Sequence, residues 1–139
     1  SAAIGCAQMD VLPDRVARRK EIHGMYARLG DIDGITVHTN PTPEFDSNFW
    51  LSTILIDHSV INRTPDELRV FLLERGIETR LLWRPMHMQP VFSEAPFYGD
   101  NCAERLFGNG LCLPSGSILS DDEINKVIDT IIEAINGYR

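Results

Sequence analysis

The chain has 139 residues, 43% hydrophobic and 24% charged, which is enough for one domain that buries roughly 68–70% of its unfolded surface. No apolar stretch approaches the roughly 20 residues of a membrane helix, no low-complexity tract favours disorder, and thirteen basic against twenty acidic residues give a charge of −7. Such a balance offers a nucleic acid no positive field to meet, and the opening Ser1-Ala2-Ala3-Ile4-Gly5 has neither the basic start nor the apolar core of an export signal. The expectation is a cytoplasmic protein with no membrane and no nucleic-acid partner.

The first thirty residues read as helix, because Ile4, Ala7, Val11, Leu12, Val16, Ile22, Tyr26 and Leu29 recur at three- and four-residue spacing. Pro13 predicts a kink or break near Val11–Leu12, since it lacks the N–H of the preceding turn, and Gly30 is the expected stop. The run Arg15, Arg18, Arg19 and Lys20 has acids beside it and reads as a solvated face. A short strand is expected over Ile35–Thr39, then a polar, proline-bearing loop from Asn40 to Asn48, then the most strand-like stretch, Phe49–Asp57.

A helix follows over Pro65–Arg75, with Thr64 and Glu67 as a capping box, proline in its first position and Gly76 at its end. Ile77–Trp83 returns as strand, and three prolines between Arg84 and Asn101 forbid a long helix there. Ala103–Asn109 makes a short helix, Leu111–Pro114 a short strand and Ser115-Gly116-Ser117 a turn. The last helix opens on Ser120 and Glu123 as a second capping box and lines Ile124, Val127, Ile128, Ile131 and Ile135 along one face. This order predicts an α/β chain of the α+β two-layer kind, a small, partly antiparallel sheet packed by helices. A long helix that begins at residue 2 without a capping residue reads as the continuation of something upstream.

The common nucleotide-binding and hydrolase motifs (GxGxxG, the P-loop, HExxH, GxSxG) are absent. Cys6, Cys102 and Cys112 form no CxxC unit, and the four histidines show no metal spacing, so neither a disulfide framework nor a metal site is indicated. His23 is expected to be exposed on the first helix, and His38 and His58 to be ordinary polar residues. His87 has richer surroundings: Trp83-Arg84-Pro85-Met86-His87-Met88-Gln89-Pro90 sets an indole, a guanidinium, an imidazole and an amide in a loop stiffened by two prolines. Such a loop suits ligand contact, but from composition alone a structural loop whose histidine satisfies a backbone carbonyl is the plainer reading. Ser115-Gly116-Ser117 fits an anion-binding nest or a plain turn, and Arg80 and Arg84 suit a ligand carboxylate or phosphate, or an acid of this chain.

Three blocks carry a resemblance: Ile77-Glu78-Thr79-Arg80, Trp83-Arg84-Pro85-Met86-His87-Met88-Gln89-Pro90, and Leu106-Phe107 through Gly110-Leu111-Cys112-Leu113-Pro114-Ser115-Gly116-Ser117. Together with Ala2-Ala3-Ile4-Gly5-Cys6-Ala7-Gln8, Arg18-Arg19 and Asn48-Phe49-Trp50, the chain resembles the C-terminal part of the DegT/StrS aminotransferases, pyridoxal-phosphate enzymes acting on nucleotide-linked keto sugars, and looks most like the branch that makes bacillosamine-type amino sugars.

The resemblance implies the C-terminal domain of the fold-type I aminotransferase architecture, with residues 1–30 a kinked helix continuing from a missing N-terminal large domain and residues 31–139 the sandwich. It implies a homodimeric parent that moves an amino group from glutamate to a nucleotide sugar, with His87, Trp83 and Arg84 as substrate contacts. The catalytic lysine would lie upstream, since Lys20 and Lys126 match no family motif. No cofactor is then expected on this segment alone, and alone it should be inactive. Two other readings fit the residues, a non-catalytic small-molecule-binding or regulatory α/β domain and a purely structural interaction domain.

Overall fold

The structure is a computed structural model that describes residues 2–137. Helix α1 spans Ala2–Tyr26 and passes into a 3-10 turn at Ala27–Asp31. Strands β1 (Ile35–Val37) and β2 (Ser52–Ile56) follow, then α2 (Pro65–Leu73), β3 (Arg80–Leu81), α3 (Cys102–Asn109), β4 (Gly110–Leu113) and α4 (Asp121–Asn136). The sheet runs β1-β2-β4-β3, and each of its three pairings is antiparallel. The expected two-layer mixture is therefore present, with a sheet that is antiparallel throughout rather than in part.

Register explains the core. Ile35 stands opposite Ile56 and Ile54 opposite Leu111, and all four are buried with Leu113. They meet Leu68 and Leu72 of α2 and Ile124, Ile128 and Ile131 of α4 in one apolar cluster. Both capping boxes form as the sequence predicts: the hydroxyls of Thr64 and Ser120 accept from the N–H of Glu67 and Glu123, whose carboxylates accept in return. The Thr64 N–H, then its hydroxyl, holds the Glu67 carboxyl below its usual range, and Ser120 does the same for Glu123.

Several expectations need correction. Helix α1 runs through Pro13 with no break at Val11–Leu12, because a proline costs a helix one N–H and not its continuity when the turn can adjust. Its apolar periodicity also does not mark a buried stripe: Ile4, Met9, Val11 and Leu12 are exposed, and only Ile22, His23 and Tyr26 are buried. Only the last turns of α1 reach the sheet, and a repeat along a helix cannot show where its packing partner stops. His23 is thus buried, not exposed.

The basic run is also more than a solvated face. Arg18 bonds Asp121, Glu21 and the Leu119 carbonyl, Arg19 bonds the Trp50 carbonyl, and Lys20 pairs with Asp46. The expected strand Ile77–Trp83 shrinks to Arg80–Leu81. Gly76, at φ 76°, reverses the chain after α2, and the Ile77 N–H closes on the Leu72 carbonyl at 2.9 Å, so the first residues of that stretch finish the helix instead of pairing.

Candidate functional site

A cleft of about 770 Å3 opens along the edge strand β3 and the exit of β4, with Trp50, Thr79, Arg80, Trp83, Ser115 and Lys126 among its walls. Trp83 leaves β3 and stacks on Trp50, which stands just before β2, with ring centroids 5.9 Å apart and planes 26° from parallel. Both indoles remain largely in solvent. Arg80 turns outward and pairs with Glu78 at 2.9 Å. The hydroxyl of Thr79 is buried without a partner at the same cleft.

Ser115 does not form the nest that its neighbours suggested. Its hydroxyl donates to the Leu113 carbonyl and accepts from the Ser52 N–H, both at 2.8 Å, which ties β4 to β2. Gly116 stays out of the left-handed region that a nest needs, and its carbonyl accepts from the Leu119 N–H in an ordinary turn.

The groups of the segment after β3 meet different surroundings. Trp83 joins Trp50. Arg84 is exposed and makes no hydrogen bond or ion pair among the described residues. His87 sits in a 3-10 turn over Met86–Met88, flanked by Pro85 and followed by a second such turn at Pro90–Phe92. Its Nε2 lies 2.6 Å from Glu104 Oε1 on α3, and its ring packs on Phe97 at 3.9 Å between centroids. The histidine is therefore satisfied by a carboxylate rather than by a backbone carbonyl, and its Nδ1 is the polar atom left over.

Three partners of this loop escaped sequence reasoning: Trp50, Phe97 and Glu104. Trp50 carried a usable sign, being one of only two tryptophans in the chain. Glu104, seventeen residues from His87, carried none, because no local spacing links a loop to the next helix.

Among the described residues no group of three histidines, cysteines or acids could hold a metal ion. The described residues also do not make a cradle for pyridoxal phosphate by themselves. Lys20 is engaged by Asp46 on the loop that precedes β2. Lys126 borders the cleft, but there Arg80 and Lys126 are balanced by Glu78 and Glu123, so the walls carry no surplus positive charge for a phosphate dianion.

Comparison with known proteins gives one decisive match. The DegT/DnrJ/EryC1/StrS aminotransferase family matches residues 1–132. The chain belongs to that family. Its relatives include the protein named "Putative pyridoxal phosphate-dependent aminotransferase EpsN" of Bacillus subtilis, 39% identical over 94% of this chain and 34% of the relative. GDP-perosamine synthase of Escherichia coli O157:H7 is 30% identical over 95% of this chain and 35% of that enzyme. Among solved structures, DesI in the presence of its TDP-sugar product superposes with a TM-score of 0.86 at 27% identity, over 98% of this chain and 35% of that one. The chain thus spans about a third of the length of the relatives it matches. Members of the DegT/DnrJ/EryC1/StrS family are pyridoxal-phosphate-dependent aminotransferases of the fold-type I architecture, as the sequence resemblance implied.

Proposed function

We propose that this chain is the C-terminal small domain of an aminotransferase that moves an amino group from glutamate to a nucleotide-linked keto sugar, and that it contributes substrate contacts rather than the Schiff-base lysine. The observation that carries the reading is the loop leaving β3, which presents an exposed indole (Trp83), an unpaired guanidinium (Arg84) and an imidazole already oriented by Glu104 and Phe97 (His87). Arg84 suits a diphosphate, because a guanidinium binds phosphate oxygens with two parallel donors. Trp83 offers an apolar ring face to a base or a sugar. His87, with Nε2 committed, keeps Nδ1 for a sugar hydroxyl.

The names of relatives support the substrate class: one is a GDP-perosamine synthase, and DesI was solved with a TDP-sugar product. In this reading the cofactor, the lysine that holds it and the proton transfers belong to the rest of a homodimeric protein, so the residues here bind and orient the sugar nucleotide.

The test is an absorbance spectrum of the parent enzyme purified with pyridoxal phosphate, before and after glutamate, followed by a panel of nucleotide keto sugars. Conversion of the cofactor's absorbance on adding glutamate, reversed by one of the keto sugars, is the expected result. A parent that retains no cofactor and does not respond to glutamate would sink the transaminase reading and leave that of a small-molecule-binding domain.

A further inference from the structure

We propose that Trp50 is a positioning residue of the substrate site, which holds Trp83 in place by stacking, and that its own position is set by the contact between Phe49 and His23. The inference rests on the reading of Trp83 as a substrate contact and adds to it residues from a different part of the chain.

The turn that carries Trp50 is held by several contacts. Phe49 is the one non-glycine residue with positive φ among those described, at 43°. A left-handed conformation of an aromatic residue is unfavourable and persists only where its surroundings over-determine it. Here they do. The Phe49 N–H donates to Ser47 Oγ at 3.0 Å, the Trp50 N–H donates to Asn48 Oδ1 at 3.0 Å, and the Trp50 carbonyl accepts from Arg19 at 3.2 Å. Two residues on, the Ser52 N–H is held by the buried Ser115 hydroxyl.

The Phe49 ring lies flat on the His23 imidazole, with centroids 3.7 Å apart and planes within 11°. His23 is itself buried in the last turns of α1. One consequence of this strained turn is where the next side chain goes. Trp50 projects over the cleft and meets Trp83, the residue that starts the ligand-type loop.

Two exposed indoles stacked on each other at a cleft mouth hide little apolar area from water, since 59% of Trp50 and 67% of Trp83 remain accessible. The Trp50–Trp83 pair therefore adds little to core stability, and its effect is on orientation: an isolated Trp83 would sample several rotamers, and a stacked one presents a single outer face for a planar or sugar ring.

Two measurements test the inference. The first is far-ultraviolet circular dichroism of the chain, whose two tryptophans should give an exciton couplet. Trp50→Ala and Trp83→Ala should each abolish it, and His23→Ala should weaken it while the helical signal holds. A couplet that survives Trp50→Ala, or a chain that shows none, overturns the stacking.

The second is steady-state kinetics of the parent enzyme. Trp50→Ala should raise the nucleotide-sugar KM by about twofold to tenfold, as expected for loss of one aromatic pair, with kcat little changed, and Trp50→Phe should restore it. If Trp83→Ala raises that KM and Trp50→Ala does not, the positioning role is wrong while the substrate reading stands. If neither raises it, both are wrong.

Discussion

The Tyr26 hydroxyl donates to the Pro114 carbonyl at 2.8 Å, a bond across 88 residues that ties the end of α1 to the strand exit bordering the cleft. Tyr26 is fully buried, and burial pushes its phenol pKa well up, so it stays a donor at any ordinary pH. Tyr26→Phe removes the donor, keeps the ring and leaves a carbonyl without its partner. The expected cost is about 1–3 kcal/mol, read as a lower urea midpoint with an unchanged slope. An unchanged midpoint would mean that water replaces the hydroxyl without loss.

His23 gives the stability a pH dependence. Burial, and next the neighbouring His38, hold its imidazole below the usual value of 6.5, so the native state prefers it neutral. The unfolded chain takes up the proton more readily. Stability is then complete above the unfolded value and declines as pH falls below 6.5 towards the lowered native value. The Glu67 and Glu123 carboxyls, also depressed, act lower, because their contribution is present above 4.5 and fades only below it. Urea midpoints of the chain should fall between about pH 7 and pH 5. His23→Phe should flatten that window, and an equal slope in the variant would assign the effect elsewhere.

Each capping box predicts a local loss. Ser120→Ala removes the acceptor for the Glu123 N–H, and Thr64→Ala does the same for Glu67. Each should cost about 1 kcal/mol. The two sites share no hydrogen bond, so the double variant should show the sum. Amide exchange should quicken first in the opening turn of the affected helix, and uniform quickening along α4 would contradict a cap-local effect.

Gly110 begins β4 where no side chain has room. A Cβ there would lie 2.1 Å from Leu82 Cδ1 and 2.6 Å from the Leu106 carbonyl oxygen. Leu82 is a flexible side chain that can turn away, but the carbonyl belongs to α3 and cannot. Gly110→Ala should therefore cost about 1–3 kcal/mol and shift α3 against the sheet. Melting within a degree of the unaltered chain would show that α3 accommodates it freely.

The parts of this fold that the sequence made legible are those whose determinants are local. The two capping boxes, the proline at the start of α2 and the isoleucine face of α4 all lie within a few residues of what they specify, and each is present as expected. Strand lengths and burial along α1 failed for the opposite reason. Whether Ile4 is covered, or how far β3 pairs, depends on segments remote in the chain. The candidate site divides in the same way: Trp83, Arg84 and His87 could be picked out together because they are neighbours in sequence. Trp50 and Glu104, which touch two of them, arrive from the turn before β2 and from α3. Burial of His23 was hidden because α1 alternates polar and apolar residues as though its whole length were packed.

The central claim is that the loop from Trp83 to His87 contacts the sugar nucleotide. It is tested most directly by steady-state kinetics of the parent enzyme carrying Trp83→Ala, Arg84→Ala or His87→Ala, with nucleotide sugar and glutamate varied separately. The account predicts a nucleotide-sugar KM raised by about tenfold or more for Arg84→Ala, the size expected for a lost charge-assisted bond, with smaller increases for the other two and an unchanged KM for glutamate. Three variants that all keep the original nucleotide-sugar KM would contradict it.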